Sequence, residues 1–153
     1  MTGSKQSVSV YEIDEVLVIL TFSRTDVGVW VMDPDFDVVP ISTPTASLGE
    51  AVTRALDASH SPKPHPTNDE MMASWRKVLR RVGVRSTPEF NRRARVVEVS
   101  RRGEVYSFVA QESPGPRRGF VPKSDATTER TSPAAEEVGQ AVFESLAQTT
   151  RAG

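Results

Sequence analysis

Three aspartates alternate along one short stretch, Asp33, Asp35 and Asp37, with Pro34 and Phe36 between them. Carboxylates at every second position open a calcium loop. That loop also needs glycine at its sixth position and a glutamate closing the twelfth. Val38 and Pro44 stand there instead, so calcium is not expected. The stretch reads either as a solvated turn or as an acidic patch for a basic partner. His60 and His65 are the only histidines and flank prolines. A metal site needs three or four ligands, and no acidic or cysteine cluster accompanies this pair. A Ser–His–Asp arrangement draws its members from distant positions and stays open. No G-x-S-x-G marks a nucleophile, and no glycine-rich phosphate loop is present. The expectation is therefore a protein that is not an enzyme, with no catalytic residue, cofactor or metal.

The strongest charge signal is cationic. Arg76, Arg80 and Arg81 fall in one segment, Arg85, Arg92, Arg93 and Arg95 follow, and Arg101 and Arg102 sit at a turn. Such a set could neutralise phosphates and release counterions, with Trp75, Tyr106 or Phe108 stacking on bases. The plainer reading has the long stems covering apolar surface and pairing with Glu89 or Glu98. Basic residues number 19 against 20 acidic ones, for a formal net charge of −1. Overall charge thus favours no polyanion, and nucleic acid is the alternative partner rather than the leading one.

The elements that must position these residues can be read from periodicity. A length of 153 residues favours one domain with a real core. The absence of cysteine excludes disulfides and thiol chemistry and fits a reducing cytoplasm. Met1–Lys5 has no apolar stretch behind it, so no signal peptide is expected. No apolar run approaches the roughly 18 residues of a membrane span. The expected location is cytoplasmic, with no membrane partner.

Ser7 to Tyr11 alternates as a half-buried strand does, and Val16 to Leu20 is apolar on both faces, as in a covered central strand. Val29–Met32 and Phe36–Ile41 read as two further strands, separated by a turn at Asp33-Pro34-Asp35. Ser47 and Glu50 have capping-box spacing before a helix carrying Leu48, Val52 and Leu56. Residues 57–66 hold three prolines and form a linker.

Thr67 and Glu70 form a second capping box. Met71, Trp75, Val78, Leu79 and Val82 make one stripe, and Gly83 ends the helix. Thr87 caps a short helix with Pro88 in its first turn, burying Phe90 and Ala94. Arg95–Val99 and Val105–Val109 form a hairpin about Arg101–Gly103. Residues 111–119 read as an exposed loop, 120–122 as a short strand and 123–131 as a polar segment. Ser132 and Pro133 open a last helix with Val138, Ala141, Val142 and Leu146 on its stripe.

The outer helices match. Leu48-Gly49-Glu50-Ala51-Val52 resembles Val138-Gly139-Gln140-Ala141-Val142, and each ends on a leucine, Leu56 and Leu146. Val-Pro precedes each, and Glu15-Val16 and Glu104-Val105 each open a strand. Each half is therefore a set of antiparallel strands followed by a helix. The first half spans 6–56 and the second 95–147, with the linker 57–66 and central helices 67–94 between them. Runs of strands followed by helices give an α+β fold with antiparallel sheets and packed helices in a single domain over 1–153.

The segment Ser74-Trp75-x-x-Val78-Leu79-x-x-Val82-Gly83-Val84-x-Ser86-x-x-x-Phe90-x-x-x-Ala94, with the valine strand behind it, resembles bacterial immunity proteins of contact-dependent growth inhibition (the CdiI group). The closing Val138–Val142 helix is similar too, and the resemblance covers roughly 35–147. It implies a cytoplasmic protein that binds the C-terminal toxin domain of an effector and blocks its active site. Some such proteins look like Whirly-type single-stranded nucleic-acid binders, built of duplicated sheet-plus-helix units. Toxin contacts vary within such groups, so no contact residue carries over. The first contacts expected with a basic toxin are Asp33, Asp35 and Asp37.

Overall fold

In the computed structural model, residues 5–115 and 119–149 are described. The strands are β1 (Gln6–Ile13), β2 (Val16–Arg24), β3 (Trp30–Pro40), β4 (Arg95–Arg102), β5 (Val105–Gly115) and β6 (Gly119–Thr131). The helices are α1 (Thr45–Ala58), α2 (Asn68–Val82), α3 (Thr87–Arg93) and α4 (Ala135–Leu146). The strands form one six-stranded sheet in the order β3-β2-β1-β4-β5-β6, every neighbouring pair antiparallel. This is the expected α+β architecture.

The sheet is doubled about its centre. Each half is a three-strand meander followed by a helix, and β1 and β4 join the halves with Val8 opposite Val99 and Val10 opposite Val97. Those valines, Leu17, Ile19 and Phe108 form one core with Leu48, Val52, Val138, Val142 and Leu146. So α1 and α4 lie side by side on one face of the sheet. The repeated glycines explain their closeness. A Cβ on Gly49 would overlap the Ala135 carbonyl, and one on Gly139 would overlap the Thr45 carbonyl. Mid-helix glycine costs about 1 kcal/mol relative to alanine, and here it allows two helix backbones to touch reciprocally.

The opposite face is covered by α2 and α3 through a second core of Ile13, Val18, Leu20, Val78, Leu79, Val84, Phe90 and Ala94. Both ends of α2 follow the sequence. Thr67 accepts from the Glu70 N–H while the Glu70 carboxylate accepts from the Thr67 N–H. Those bonds hold the Glu70 carboxyl below its usual range. Gly83 takes the left-handed conformation at φ 73°.

Several boundaries differ from expectation. The Asp33-Pro34-Asp35 stretch is not a turn. β3 runs through it, and the register shifts between Leu20 and Phe22 so that Pro34 sits at the irregularity. Proline is tolerated because β3 is an edge strand with a free outer row. The expected loop and polar segment after residue 110 are the long β5–β6 pair. β6 is an edge strand on which Ala126 is the one buried residue among those described, so apolar alternation gives no sign of it. Residues 116–118, within the expected loop, lie outside the described residues. α1 begins at Thr45 with no side-chain cap, not at Ser47. Ser86, not Thr87, caps α3 by accepting from the Glu89 N–H. α4 starts at Ala135, where the Glu137 carboxylate accepts from the Ala134 N–H.

Candidate functional site

Strand pairing decides where the three aspartates point. Asp37 lies opposite Ile19, a residue of the α1/α4 core, so Asp37 leans toward that side of the sheet. The three line a cavity of about 400 Å³ between the β3 edge, the end of α1 and the linker, together with Thr21, Arg54, Ala55, His60 and Lys63. The Thr21 hydroxyl donates to the Ala55 carbonyl at 2.9 Å and fixes the helix end against β2.

The proline-rich linker forms the far wall because it is stitched to β2. The Arg24 N–H donates to the His60 carbonyl, the Lys63 N–H to the Arg24 carbonyl and the Asp26 N–H to the Lys63 carbonyl. The Ser59 hydroxyl accepts from the Ser7 N–H and donates to the Phe22 carbonyl. The Ser23 hydroxyl lies 3.2 Å from His60 Nδ1. These bonds deliver the Lys63 ammonium to 2.9 Å from Asp33 Oδ1, with only 16% and 14% of the two side chains exposed. A pair this sheltered is mutually compensated, and removing one partner would strand the other charge.

The structure therefore brings the three aspartates to one cleft but does not leave them equivalent. Asp33 is neutralised, whereas Asp35 and Asp37 are exposed and pair with no cation among the described residues. Lys63 was missed because a Pro/His/Lys linker carries no periodic signal, and only the fold brings it back on β2; Arg54, on α1, gave no sign of facing the aspartates.

Of the arginines expected as nucleic-acid contacts, Arg76, Arg80, Arg81, Arg101 and Arg102 do not share a surface. Arg76, Arg80 and Arg81 are exposed on α2. Arg101 is on the α1/α4 face, where its guanidinium donates to Asp57 Oδ1 at 2.7 Å, to Gln6 Oε1 and to the Tyr106 hydroxyl. Burial alone would lower the Arg101 pKa, but the hydrogen bonds to Tyr106 and Asp57 outweigh it and hold the group above its ordinary value. Arg102 is exposed at the β4–β5 hairpin. None of the aromatics named for stacking is free: Tyr106 and Phe108 are core, and Trp75 donates its indole N–H to Thr87 at 2.8 Å while packing edge-on to Phe90. Glu89 pairs with Arg93, and Glu98 with Lys5.

A second concavity lies on the α2/α3 side of the sheet. Phe22, Trp30, Ser7, Ser9 and Glu98 line about 210 Å³ of it, and Tyr11, Trp75, Asn91, Gln111 and Phe120 line an adjoining 330 Å³. Burial pushes the Tyr11 phenol up to about 12, the Ser9 hydroxyl opposes the shift, and Glu98 adds to it. The neutral phenol is thus favoured on folding. Its contribution is complete below the ordinary tyrosine value near 10 and is lost as pH rises through about 12. Urea midpoints should fall between those limits, and Tyr11→Phe should flatten that part of the profile.

Among the described residues, no group of three or more His, Asp or Glu side chains could hold a metal, and no helix is long and apolar enough to cross a membrane.

No family model matches the sequence, and no curated protein matches it. Solved structures do match. A Neisseria meningitidis protein of unknown function superposes with a TM-score of 0.81 at 12% identity, covering 95% of this chain and 96% of that one. A chain of the CdiA-CT/CdiI toxin and immunity complex from Yersinia pseudotuberculosis superposes at 0.78, again with 12% identity, covering 97% and 99%. What is shared is the fold. The likeness runs the full length of both chains, so the doubled sheet and the inserted α2–α3 pair belong to an architecture found elsewhere.

Proposed function

We propose that this chain is a non-catalytic immunity protein that binds the toxin domain of a contact-dependent growth inhibition effector and blocks its active site. The observation that carries this reading is the full-length likeness to a chain of a toxin and immunity complex at a TM-score of 0.78. The sequence pattern from Ser74 to Ala94 supports it independently, since Val78, Phe90 and Ala94 are fully buried where that pattern needs apolar residues.

The recognition surface in this reading is the β3 edge. Asp35 and Asp37 present uncompensated carboxylates beside a cavity, and charge of one sign steers an oppositely charged partner and fixes its register. Asp33 serves the scaffold by holding Lys63 and the linker in place.

The test is co-expression with the toxin domain encoded by the neighbouring effector gene. The chain should restore growth and co-purify with the toxin domain as a heterodimer. Continued growth arrest with no complex would end this reading.

A further inference from the structure

The outer face of α2 is a concentrated cationic surface. Arg76, Lys77, Arg80 and Arg81 are all exposed. At 3.6 residues per turn they fall within about 140° of arc, opposite the stripe of Trp75, Val78, Leu79 and Val82 that packs on the sheet. None forms an ion pair among the described residues. Four cations elsewhere are paired, Lys63 with Asp33, Arg93 with Asp14 and Glu89, Arg101 with Asp57, and Lys5 with Glu98; on α2 four unpaired cations share one helix face. Among the described residues these four side chains make one long hydrogen bond, donated by Lys77 Nζ to the Pro34 carbonyl at 3.4 Å. Arg80 and Arg81 in the last turn also favour the helix dipole, worth about 0.3–1 kcal/mol each at the surface. That effect does not reach Arg76 or Lys77, which lie further from the helix end.

The opposite layer of the molecule has the other sign. Glu50 on α1 and Glu136, Glu137 and Glu144 on α4 are exposed, as is Asp57, which pairs with Arg101; Arg54 and Arg101 are the basic exceptions. A near-neutral chain is thus polarised across its sheet. We propose that the α2 face docks the phosphate backbone of a nucleic acid, with the acidic α1/α4 layer restricting the polyanion to this side.

A polyanion fits this face by charge, and three of the four groups are guanidiniums, whose planar fork binds phosphate, as it binds carboxylate, in two parallel hydrogen bonds; competition by poly-glutamate separates the two. The recognition is of backbone and not of bases. Trp75 is committed to Thr87 and Phe90, so no aromatic platform accompanies the charges. Arg101 takes no part, being held by Asp57 on the other face.

The test is fluorescence anisotropy of the full chain with a short labelled duplex at several salt concentrations. Four neutralised phosphates give a slope of log affinity against log salt of about −3.6, at roughly 0.9 per phosphate. Between about 50 and 200 mM salt, that is a loss on the order of a hundredfold. Arg80→Gln/Arg81→Gln should make the slope shallower by about 2, whereas Arg102→Gln/Arg130→Gln, which removes the same charge elsewhere, should leave it unchanged. Absence of binding at low salt, equal effects of the two pairs, or equally strong competition by poly-glutamate at matched charge would each overturn the proposal.

Discussion

Gly139→Ala will destabilise this protein by about 3 kcal/mol or more, near the upper end of the range for overpacking. The added methyl would overlap the Thr45 carbonyl oxygen and approach the Thr45 carbonyl carbon. Both are backbone, so no rotamer change relieves the clash and the helices must separate. Against a typical total of about 5–15 kcal/mol, a chain of this size should lose roughly 10 °C in Tm. Gly49→Ala should behave alike, since its Cβ would meet the Ala135 carbonyl. Once one substitution has parted the helices the other has less to displace, so the double variant should cost less than the two losses added together. Gly103→Ala is the informative contrast. Nothing lies within 4 Å of its Cβ, and only the positive φ of 61° is strained, so a loss nearer 1 kcal/mol is expected. Urea denaturation of the three single variants checks this ranking, and equal losses would remove the close helix contact from the account.

Phe90→Ala carries the second large effect, about 3–5 kcal/mol for a buried phenylalanine. Phe90 is fully buried and is the point where α2, α3 and the sheet meet. Its ring lies edge-on to Trp75 at 5.0 Å and to Tyr11 at 5.3 Å between centroids. Truncation removes both aromatic contacts and opens a cavity under α3 that the helix cannot fill, because Ser86 and the Gly83 turn fix its start. The loss should be accompanied by a red-shifted Trp75 emission and faster amide exchange in α2 and α3. The α1/α4 layer should keep its protection, since Phe90 belongs only to the core on the other face.

The parts of this fold that could be read in the sequence are those where one local rule acts alone. The Thr67/Glu70 box, the apolar stripe of α2 and Gly83 all answer to helix geometry, and all appear as expected. The duplication was visible because Gly49 and Gly139 face the same steric demand, twice. Errors arose where tertiary pairing overrode local chemistry. Asp33-Pro34-Asp35 has the composition of a turn, yet β2 holds it extended across an irregular register. β6 carries Lys123, Asp125, Thr127 and Glu129 with no apolar alternation, and the hydrogen bonds of β5 alone make it a strand. The acidic site was legible as three spaced carboxylates, but their inequality was not. Lys63 lies thirty residues from Asp33 in sequence and reaches it only because the linker binds back along β2. Spacing likewise could not reveal that Arg101 and the α2 arginines lie on opposite faces of one sheet.

The central claim is that the β3 edge recognises a protein partner through Asp35 and Asp37. The decisive measurement is the affinity of the purified chain for its proposed partner, a toxin domain encoded by an adjacent effector gene, compared with that of Asp35→Lys/Asp37→Lys. Both residues are exposed and unpaired among the described residues, so the double variant should fold with unchanged Tm. It should bind at least tenfold more weakly, through a slower and less salt-sensitive association. Tight binding by the native chain that the reversal leaves untouched would contradict the account.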